Sequence, residues 1–304
     1  MLAGNLVEIR VGRYGGGVNR WVVGSRPRTL PAAVVPVAAG TALCIGQGGV
    51  HWWRAFFALL VSSALQIGVN FANDYSDGVR GTDDERVGPQ RLVASGLAEP
   101  REVKHAAFIS FGAATAAGLV LAIVTTPWLI LVGVAAIAAG WFYTGGPSPY
   151  GYLGLGEVFV FLFFGLVATV GTTYVIIERF PADSWVAGSA VGCWACALLV
   201  VNNLRDIPTD TVSGKRTLAV RLGDRSTRIF YGVLIMTALV LGALLATRTL
   251  WCLLVALAIP FTIRPLRSVM RGAEGRALIP VLEATGRSQL IFGVLLCAGL
   301  AVGG

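Results

Sequence analysis

The sequence predicts an all-α integral membrane protein with nine transmembrane helices in one bundle. Hydrophobic residues make up 55% of the 304-residue chain and charged residues 13%, against about 25% charged residues in an ordinary soluble domain. The mean hydropathy is +0.73, and the apolar residues fall into spans near the roughly 20 residues that a helix needs to cross a bilayer. A strong asymmetry in the placement of Lys and Arg is the third observation.

Nine apolar spans follow an N-terminal cytoplasmic segment, 1–29, and we interpret residues 30–304 as one membrane domain. Several spans are short or interrupted by Gly and Pro, so the sequence predicts their positions and leaves their ends approximate. In chain order the spans are 30–48, 52–73, 104–124, 127–143, 154–177, 184–203, 227–247, 249–264 and 288–303.

The basic residues predict the orientation of this bundle. If the N-terminus is cytoplasmic and the spans alternate, all of the 24 Lys and Arg residues except Arg54, Arg179 and Arg248 lie on the cytoplasmic side. Such a bias is typical of multi-pass proteins of the cell membrane, and it predicts a cytoplasmic N-terminus and an external C-terminus. The net charge of +8 is thereby explained by topology, and we expect no nucleic-acid partner.

Two acidic stretches interrupt the apolar sequence, at 70–84 and 202–217, and six of the eight aspartates lie in them. Carboxylates at membrane depth cost free energy, so they predict a functional site. The second and sixth spans run in the same direction, and each ends at one of the stretches. We therefore expect the two stretches to share the cytoplasmic face, where the active site would lie.

The spacing within each stretch predicts a divalent-cation site. Residues four apart share one face of a helix, so Asn73 and Asp77 project together, and Asn202, Asp206 and Asp210 form a second row. Mg²⁺ takes carboxylate and amide oxygens and completes its shell with water and substrate phosphate. Two incomplete sites that face each other would clamp a diphosphate between them.

The second row contains Pro208, which predicts a kink or break before Asp210 because proline cannot donate its backbone hydrogen bond. Basic side chains beside both rows fit a phosphate ligand. These are Arg91, Arg205, Lys215 and Arg216.

The two stretches resemble the two aspartate motifs of the UbiA superfamily of intramembrane aromatic prenyltransferases. They read NDYSDGVRGTD at 73–83 and NNLRDIPTDTVSGKRT at 202–217. Within the superfamily, five further segments are similar to 1,4-dihydroxy-2-naphthoate polyprenyltransferases, and together they cover residues 25 to 223 in order. The segments are SRPRTL at 25–30, GPQRLVASG at 88–96, YTGGP at 143–147, GLGE at 154–157 and KRTLAVRLG at 215–223.

This resemblance implies a nine-helix bundle in which two Mg²⁺ ions hold a polyprenyl diphosphate at a cavity that faces the cytoplasm and opens to lipid. It implies prenyl transfer to 1,4-dihydroxy-2-naphthoate with loss of CO₂ and diphosphate, giving demethylmenaquinol for menaquinone biosynthesis. Asp83 matches the outer aspartate of the first motif, although it follows Asp77 at a longer spacing than in many members. The implied metal ligands are Asn73, Asp77, Asp83, Asn202, Asp206 and Asp210, with Asp77 and Asp206 as catalytic residues.

Further residues are candidates for the acceptor and the reacting carbon. Tyr143 would lie over the developing cation or contact the diphosphate, and Glu157 would orient the ring hydroxyls or accept a proton. Arg26 and Arg28 would attract the acceptor carboxylate. An interfacial tyrosine, a helix-entry charge and ordinary positive-inside anchors are the structural alternatives. Four aromatic residues of the fifth span could line the prenyl-chain tunnel, or could instead face lipid or pack within the bundle: Phe159, Phe161, Phe163 and Phe164.

Three other readings compete with this one. A prenyltransferase of the same superfamily that uses another acceptor, such as 4-hydroxybenzoate, differs in only a few pocket residues. A divalent-cation transporter would use the same acidic rows but would need a polar path to the external side. Cys193 and Cys196 have the spacing of a redox or zinc motif, but the sequence offers no second ligand pair. We interpret them as buried packing residues.

Overall fold

The computed structural model describes residues 19–45, 49–82 and 90–303, and within these ranges the regular structure is helical. The predicted all-α class is therefore confirmed for the described residues. In chain order the helices are α1 (Arg20–Ser25), α2 (Pro31–Ala42), α3 (Trp52–Val79), α4 (Pro100–Val124), α5 (Trp128–Phe142), α6 (Gly156–Ile177), α7 (Ala182–Val212), α8 (Leu218–Thr247), α9 (Leu250–Met270) and α10 (Gly275–Val302).

Seven of the described helices, α3, α4 and α6 to α10, are long and apolar enough to cross a membrane. The shorter apolar helices α2 and α5 have 12 and 15 residues, and they occupy the first and fourth predicted spans. Each predicted span thus has a helix at its position in the described chain. The multi-pass architecture is confirmed in this form, whereas the count of nine crossings and the direction of the termini stay predictions.

Local signals in the sequence set where several helices begin. Helix α4 starts with Pro100 at its first position, where the missing N–H costs nothing. The preceding Glu99 and the following Glu102 form a reciprocal capping box, in which Glu99 N donates to Glu102 Oε2 at 3.0 Å. Helix α2 likewise begins with Pro31. A proline thus occupies the first position of both helices.

Helices α3 and α7 extend beyond the predicted spans, to Val79 and Val212, and so carry both acidic rows. The break predicted at Pro208 is wrong, because α7 continues through it. Proline removes one backbone hydrogen bond, but the hydroxyls of Thr209 and Thr211 donate to the carbonyls of Asp206 and Ile207 at 3.0 and 2.7 Å. Because the helix is continuous from Asn202 to Asp210, the second row stays on one face.

Helix α7 lies at the centre of the bundle. In its most apolar window 72% of the residues are buried, compared with 33–44% in the other six long helices. Trp194 is fully buried, and its ring lies 5.8 Å from that of Phe292 in α10. Cys193 and Cys196 are buried free thiols within this core, in agreement with their interpretation as packing residues.

Helix α6 approaches α7 through small residues. A Cβ atom on Gly165 would lie 2.6 Å from Gly192 Cα and 2.8 Å from Gly188 O, so the two backbones are in direct contact, as at many helix interfaces in membranes. The contact lies in a π-helical stretch, Phe161–Val167. A π-helical turn contains an extra residue, so it rotates the side chains that follow it around the helix axis. Phe161 lies against Gly192 and does not line the cavity, so of its two predicted alternatives it takes packing and not tunnel lining.

Two ion pairs join helix ends at the face opposite the acidic rows. Arg54 near the start of α3 contacts Glu178 at 2.7 Å, just after α6. Arg248, after α8, contacts Asp183 in the first turn of α7 at 3.2 Å. Two of the three predicted external cations therefore lie at one end of the bundle and away from the motifs.

The contact between α6 and α7 yields a stability prediction. Replacement Gly165→Ala should lower the unfolding temperature of the detergent-solubilised protein, because overpacking a tight contact costs about 1–3 kcal/mol. Gly112→Ala in α4 is the matched control, since nothing lies within 4 Å of a Cβ there. Thermal unfolding followed by size-exclusion chromatography measures both, and equal stability of the two variants would contradict the close approach.

Candidate active site

A cavity of about 1320 Å³ runs through the bundle and is lined by residues from α2 to α7 and from α10. Its polar end contains residues of both aspartate motifs, and its far end is apolar, with Leu121, Leu129 and Val175. Helix α5 and the residue that caps its C-terminus contribute lining residues from Leu129 to Tyr143, a length of about 21 Å at the rise of an α-helix. The cavity is thus shaped for a molecule with a charged head and a long apolar tail.

The two motifs meet at the polar end of this cavity. Lys215 Nζ of the second motif contacts Asp77 Oδ1 of the first at 3.2 Å, although 138 residues separate them in sequence. Both side chains are buried and line the cavity. The prediction that the two acidic stretches share one face is confirmed by this contact. The same cavity is lined by Asn73, Asp77, Asn202, Asp206 and Asp210.

Asp77 has a second partner that sequence reasoning missed. The hydroxyl of Tyr152 donates to Asp77 Oδ1 at 2.6 Å, and Lys215 Nζ lies 4.8 Å from the centre of the Tyr152 ring. Burial is the main cause that raises the pKa of Tyr152 above its ordinary value, and the negative charge of Asp77 is the second cause. Tyr152 therefore remains protonated and acts as a hydrogen-bond donor across the physiological pH range.

Asp206 is paired within its own motif. Arg205 donates from Nε and Nη2 to the two carboxylate oxygens of Asp206, both at 2.7 Å, and from Nη2 to Asn202 Oδ1 at 2.8 Å. In the first motif, Thr144 donates to Asn73 Oδ1 at 2.8 Å. Bidentate pairing of this kind fixes the plane of a carboxylate, so the second motif presents its oxygens in one orientation.

Asp74, next to these ligand candidates, has a structural role. It is fully buried, and its two carboxylate oxygens accept hydrogen bonds from the backbone N–H groups of Leu92 and Val93 at 2.9 and 3.1 Å. These bonds hold the segment that begins at Gln90 against α3. Arg91 is buried in that segment and lines the cavity, as its predicted diphosphate role requires.

The predicted acceptor arginines both reach the cavity. Arg26 ends α1 in a left-handed conformation, φ 50°, and its Nη2 donates to Asn70 O at 3.2 Å. Arg28 lines the cavity and forms an ion pair with Glu283 of α10. The sequence predicted a span within α10 but no site residue in it, yet Glu283 and Arg287 line the cavity.

Two of the predicted site residues that the structure describes do not line the cavity. Glu157 is buried and does not line the cavity, but its Oε1 accepts a hydrogen bond at 2.9 Å from Asn203, which does. Arg216 is exposed and does not line the cavity, and its backbone N–H donates to Tyr152 O at 3.0 Å. The structure therefore does not bring its side chain to the predicted diphosphate site. Asp83 falls outside the described residues.

Aromatic rings form one wall of the cavity, from its polar end inward. The ring centres of Tyr143 and Tyr150 are 5.5 Å apart, those of Tyr150 and Phe159 are 4.1 Å apart, and those of Phe159 and Phe163 are 6.2 Å apart. Phe164 lines the cavity as well. Tyr150, Phe159 and Phe163 stack on one another, so this wall is a rigid apolar surface that excludes water.

The donor set at the polar end fits Mg²⁺ rather than a transition metal. No group of three or more His, Cys, Asp and Glu side chains that could hold a metal is found among the described residues. The rows supply carboxylate and amide oxygens instead, and Mg²⁺ accepts one or two carboxylates when substrate phosphate and water complete its shell. The protein oxygens are therefore suited to a cation that arrives with a phosphate ligand.

Comparisons with known proteins find relatives over most of this chain. A model described as the UbiA prenyltransferase family matches residues 33–277. The 1,4-dihydroxy-2-naphthoate octaprenyltransferase of Mycobacterium tuberculosis is 51% identical over 284 residues, covering 93% of this chain and 97% of that protein. The protein of the same name from Escherichia coli is 38% identical over 291 residues, covering 92% and 94%.

Among solved structures, the fold is similar to that of a UbiA homolog from Archaeoglobus fulgidus bound to GPP and Mg²⁺. The TM-score is 0.70 at 17% sequence identity, and the match covers 93% of this chain and 99% of that chain. At this identity the likeness supports the fold.

The different roles of neighbouring aspartates yield a stability prediction. Asp74→Ala leaves the backbone N–H groups of Leu92 and Val93 without their acceptors, and each loss costs about 1–3 kcal/mol. We expect a lower unfolding temperature in detergent, and a smaller decrease for Asp74→Asn, which keeps one acceptor oxygen. Glu274→Ala is the control, because the Glu274 side chain is 81% exposed. An Asp74→Ala protein as stable as this control would contradict the structural role.

Proposed function

Because this chain belongs to the UbiA prenyltransferase family, we propose that it transfers a polyprenyl group from polyprenyl diphosphate to 1,4-dihydroxy-2-naphthoate. The observation that carries the proposal is the meeting of both aspartate motifs at Lys215 and Asp77, at the head of a long apolar cavity. The names of relatives at 51% and 38% identity support the acceptor. The products would be demethylmenaquinol, CO₂ and diphosphate, a reaction of menaquinone biosynthesis.

The diphosphate head would bind at the polar end of the cavity with two Mg²⁺ ions. Asn73 and Asp77 would hold one ion, with Asp83 as the outer aspartate, and Asn202, Asp206 and Asp210 would hold the other. Bound Mg²⁺ supplies positive charge that stabilises the leaving diphosphate. Lys215, Arg205 and Arg91 add preorganised donors beside the same oxygens, since all three line this end of the cavity.

The protein's own residues would then control the reacting carbon. The allylic C–O bond breaks, and its electron pair leaves with the diphosphate. Tyr143, Tyr150 and Phe159 would lie beside the carbocation-like centre, since all three line the cavity, and the apolar wall beyond them would keep water from capturing it. The aromatic ring of the acceptor forms the new C–C bond at the carbon that carries the carboxylate. The C–CO₂ bond then breaks, CO₂ leaves, and its bonding electrons restore the aromatic ring.

The acceptor would lie between the aromatic wall and the N-terminal segment. Arg26, at the cavity surface, would pair with its carboxylate, and Arg28 would add positive charge nearby. Glu157 would act through Asn203, since Asn203 lines the cavity and bonds to the buried carboxylate at 2.9 Å. Glu157 is therefore proposed to orient the acceptor hydroxyls through this amide.

We further propose that the protein resides in the cell membrane with segment 1–29 and the polar end of the cavity on the cytoplasmic side. The distribution of Lys and Arg supports this orientation. So does the position of Arg54 and Arg248 at the opposite end of the bundle. Both substrates would then enter from the bilayer or the cytoplasm. The lipid bilayer would surround the bundle.

Loss of either central aspartate should abolish prenyl transfer. In membranes supplied with Mg²⁺, Asp77→Ala and Asp206→Ala should each reduce turnover at least about 100-fold, the scale seen when charge stabilisation of a transition state is lost. Asp183→Ala is the matched control, because Asp183 pairs with Arg248 at the other end of the bundle. Near-normal turnover by either motif variant at equal expression would refute the proposed site.

The identity of the acceptor is tested by assaying two aromatic substrates in parallel. With one labelled polyprenyl diphosphate, we expect product and equimolar CO₂ release from 1,4-dihydroxy-2-naphthoate. With 4-hydroxybenzoate we expect little product, because the pocket would not place its smaller ring against both Arg26 and Asn203. Product identity by mass spectrometry and CO₂ by trapping measure the outcome. Activity on 4-hydroxybenzoate alone would overturn the proposed acceptor while leaving the family assignment intact.

A further inference from the structure

A short turn between the two motifs touches both of them. The turn Tyr150–Leu153 is a single 3₁₀ segment, and Tyr152 is its point of contact. The Tyr152 hydroxyl donates to Asp77 of the first motif at 2.6 Å. The Tyr152 carbonyl accepts from the backbone N–H of Arg216 in the second motif at 3.0 Å. One residue thus fixes its backbone to one motif and its side chain to the other.

The hydrogen bonds to Asp77 are unevenly distributed between its two oxygens. Tyr152 and Lys215 both bind Oδ1, at 2.6 and 3.2 Å. Within the described ranges no donor is bound to Oδ2. A carboxylate held by two donors on the same oxygen has little freedom to rotate, so the other oxygen keeps a fixed position and retains its lone pairs for a further ligand.

The Tyr152 ring also places two cations. Lys215 Nζ lies 4.8 Å and Arg80 Cζ 5.5 Å from the ring centre, within the range of a cation–π interaction. Arg80 in turn donates to the carbonyls of Thr144 and Gly146, so it is anchored to the loop that follows α5. The ring therefore keeps the Lys215 ammonium beside Asp77 instead of leaving it free on its flexible stem.

We propose that Tyr152 is a positioning residue for the cation site: its hydroxyl holds Asp77 Oδ1, so that Oδ2 faces an incoming Mg²⁺–diphosphate, and its ring keeps Lys215 at the same site. The inference rests on the function proposed above. Tyr152 acts through Asp77 and Lys215, in the way that outer-sphere partners orient metal-ligating side chains and affect metal affinity about 10–100-fold.

The test is a direct titration of the solubilised full-length protein. The unfolding temperature is measured against Mg²⁺ concentration at a fixed, saturating concentration of inorganic diphosphate. Tyr152→Phe keeps the ring and removes only the hydroxyl, so we expect the protein to fold and the Mg²⁺ midpoint to rise about tenfold. In steady-state assays, KM for the aromatic acceptor should stay unchanged while kcat/KM for the prenyl donor falls.

Tyr231→Phe is the matched control. Its fully buried hydroxyl bonds to Thr285 Oγ1 at 2.7 Å in the core, away from the cavity lining. Loss of this bond should lower the starting unfolding temperature and leave the Mg²⁺ midpoint where it is in the parent protein. The comparison separates a general loss of stability from a specific loss of cation binding.

The outcomes are distinguishable. A Tyr152→Phe midpoint equal to that of the parent protein would overturn the role of Tyr152 and leave the proposed function standing. A parent protein that Mg²⁺ and diphosphate do not stabilise would count against the proposed cation site itself. A raised midpoint in Tyr231→Phe as large as in Tyr152→Phe would also overturn the inference, because the effect would then follow from stability alone.

Discussion

The ion pair between Lys215 and Asp77 is the contact on which the polar end of the cavity depends. Helix α3 ends in a buried aspartate, and the second motif supplies the buried lysine that compensates it at 3.2 Å. In a hydrocarbon environment an unpaired buried charge is strongly unfavourable, and removal of one partner of such a pair typically costs about 3–5 kcal/mol. The loop that follows α7 must therefore lie beside the C-terminal end of α3, at the polar end of the cavity.

The same constraint accounts for the distribution of polarity along that cavity. Asp206 forms an ion pair with Arg205, and Glu157 accepts a hydrogen bond from Asn203, so both buried carboxyl groups have a polar partner. Beyond this end the lining is aromatic and then aliphatic. A substrate with an anionic head and a polyisoprenoid tail matches this gradient, because its head finds fixed donors and its tail finds a surface without water.

Two aspartates of the first motif have different roles, one structural and one at the cavity. Asp74 turns inward and holds the backbone of Leu92 and Val93, whereas Asp77 turns to the cavity. Three positions along a helix place the two side chains about 60° apart around its axis, which is enough for one to be structural and the other to face a ligand. The short motif thereby builds the site and also anchors the segment that carries Arg91.

The sequence by itself determined the helical membrane class, the positions of the spans and the meeting of the two acidic rows, because hydropathy and helical periodicity are local properties of the chain. The tertiary structure decided which side chains face the cavity. Helix α7 continues through Pro208, Arg216 is exposed, and the turn between the motifs brings Tyr152 onto Asp77. These outcomes depend on how distant segments approach one another, and a single sequence records no signal for that approach.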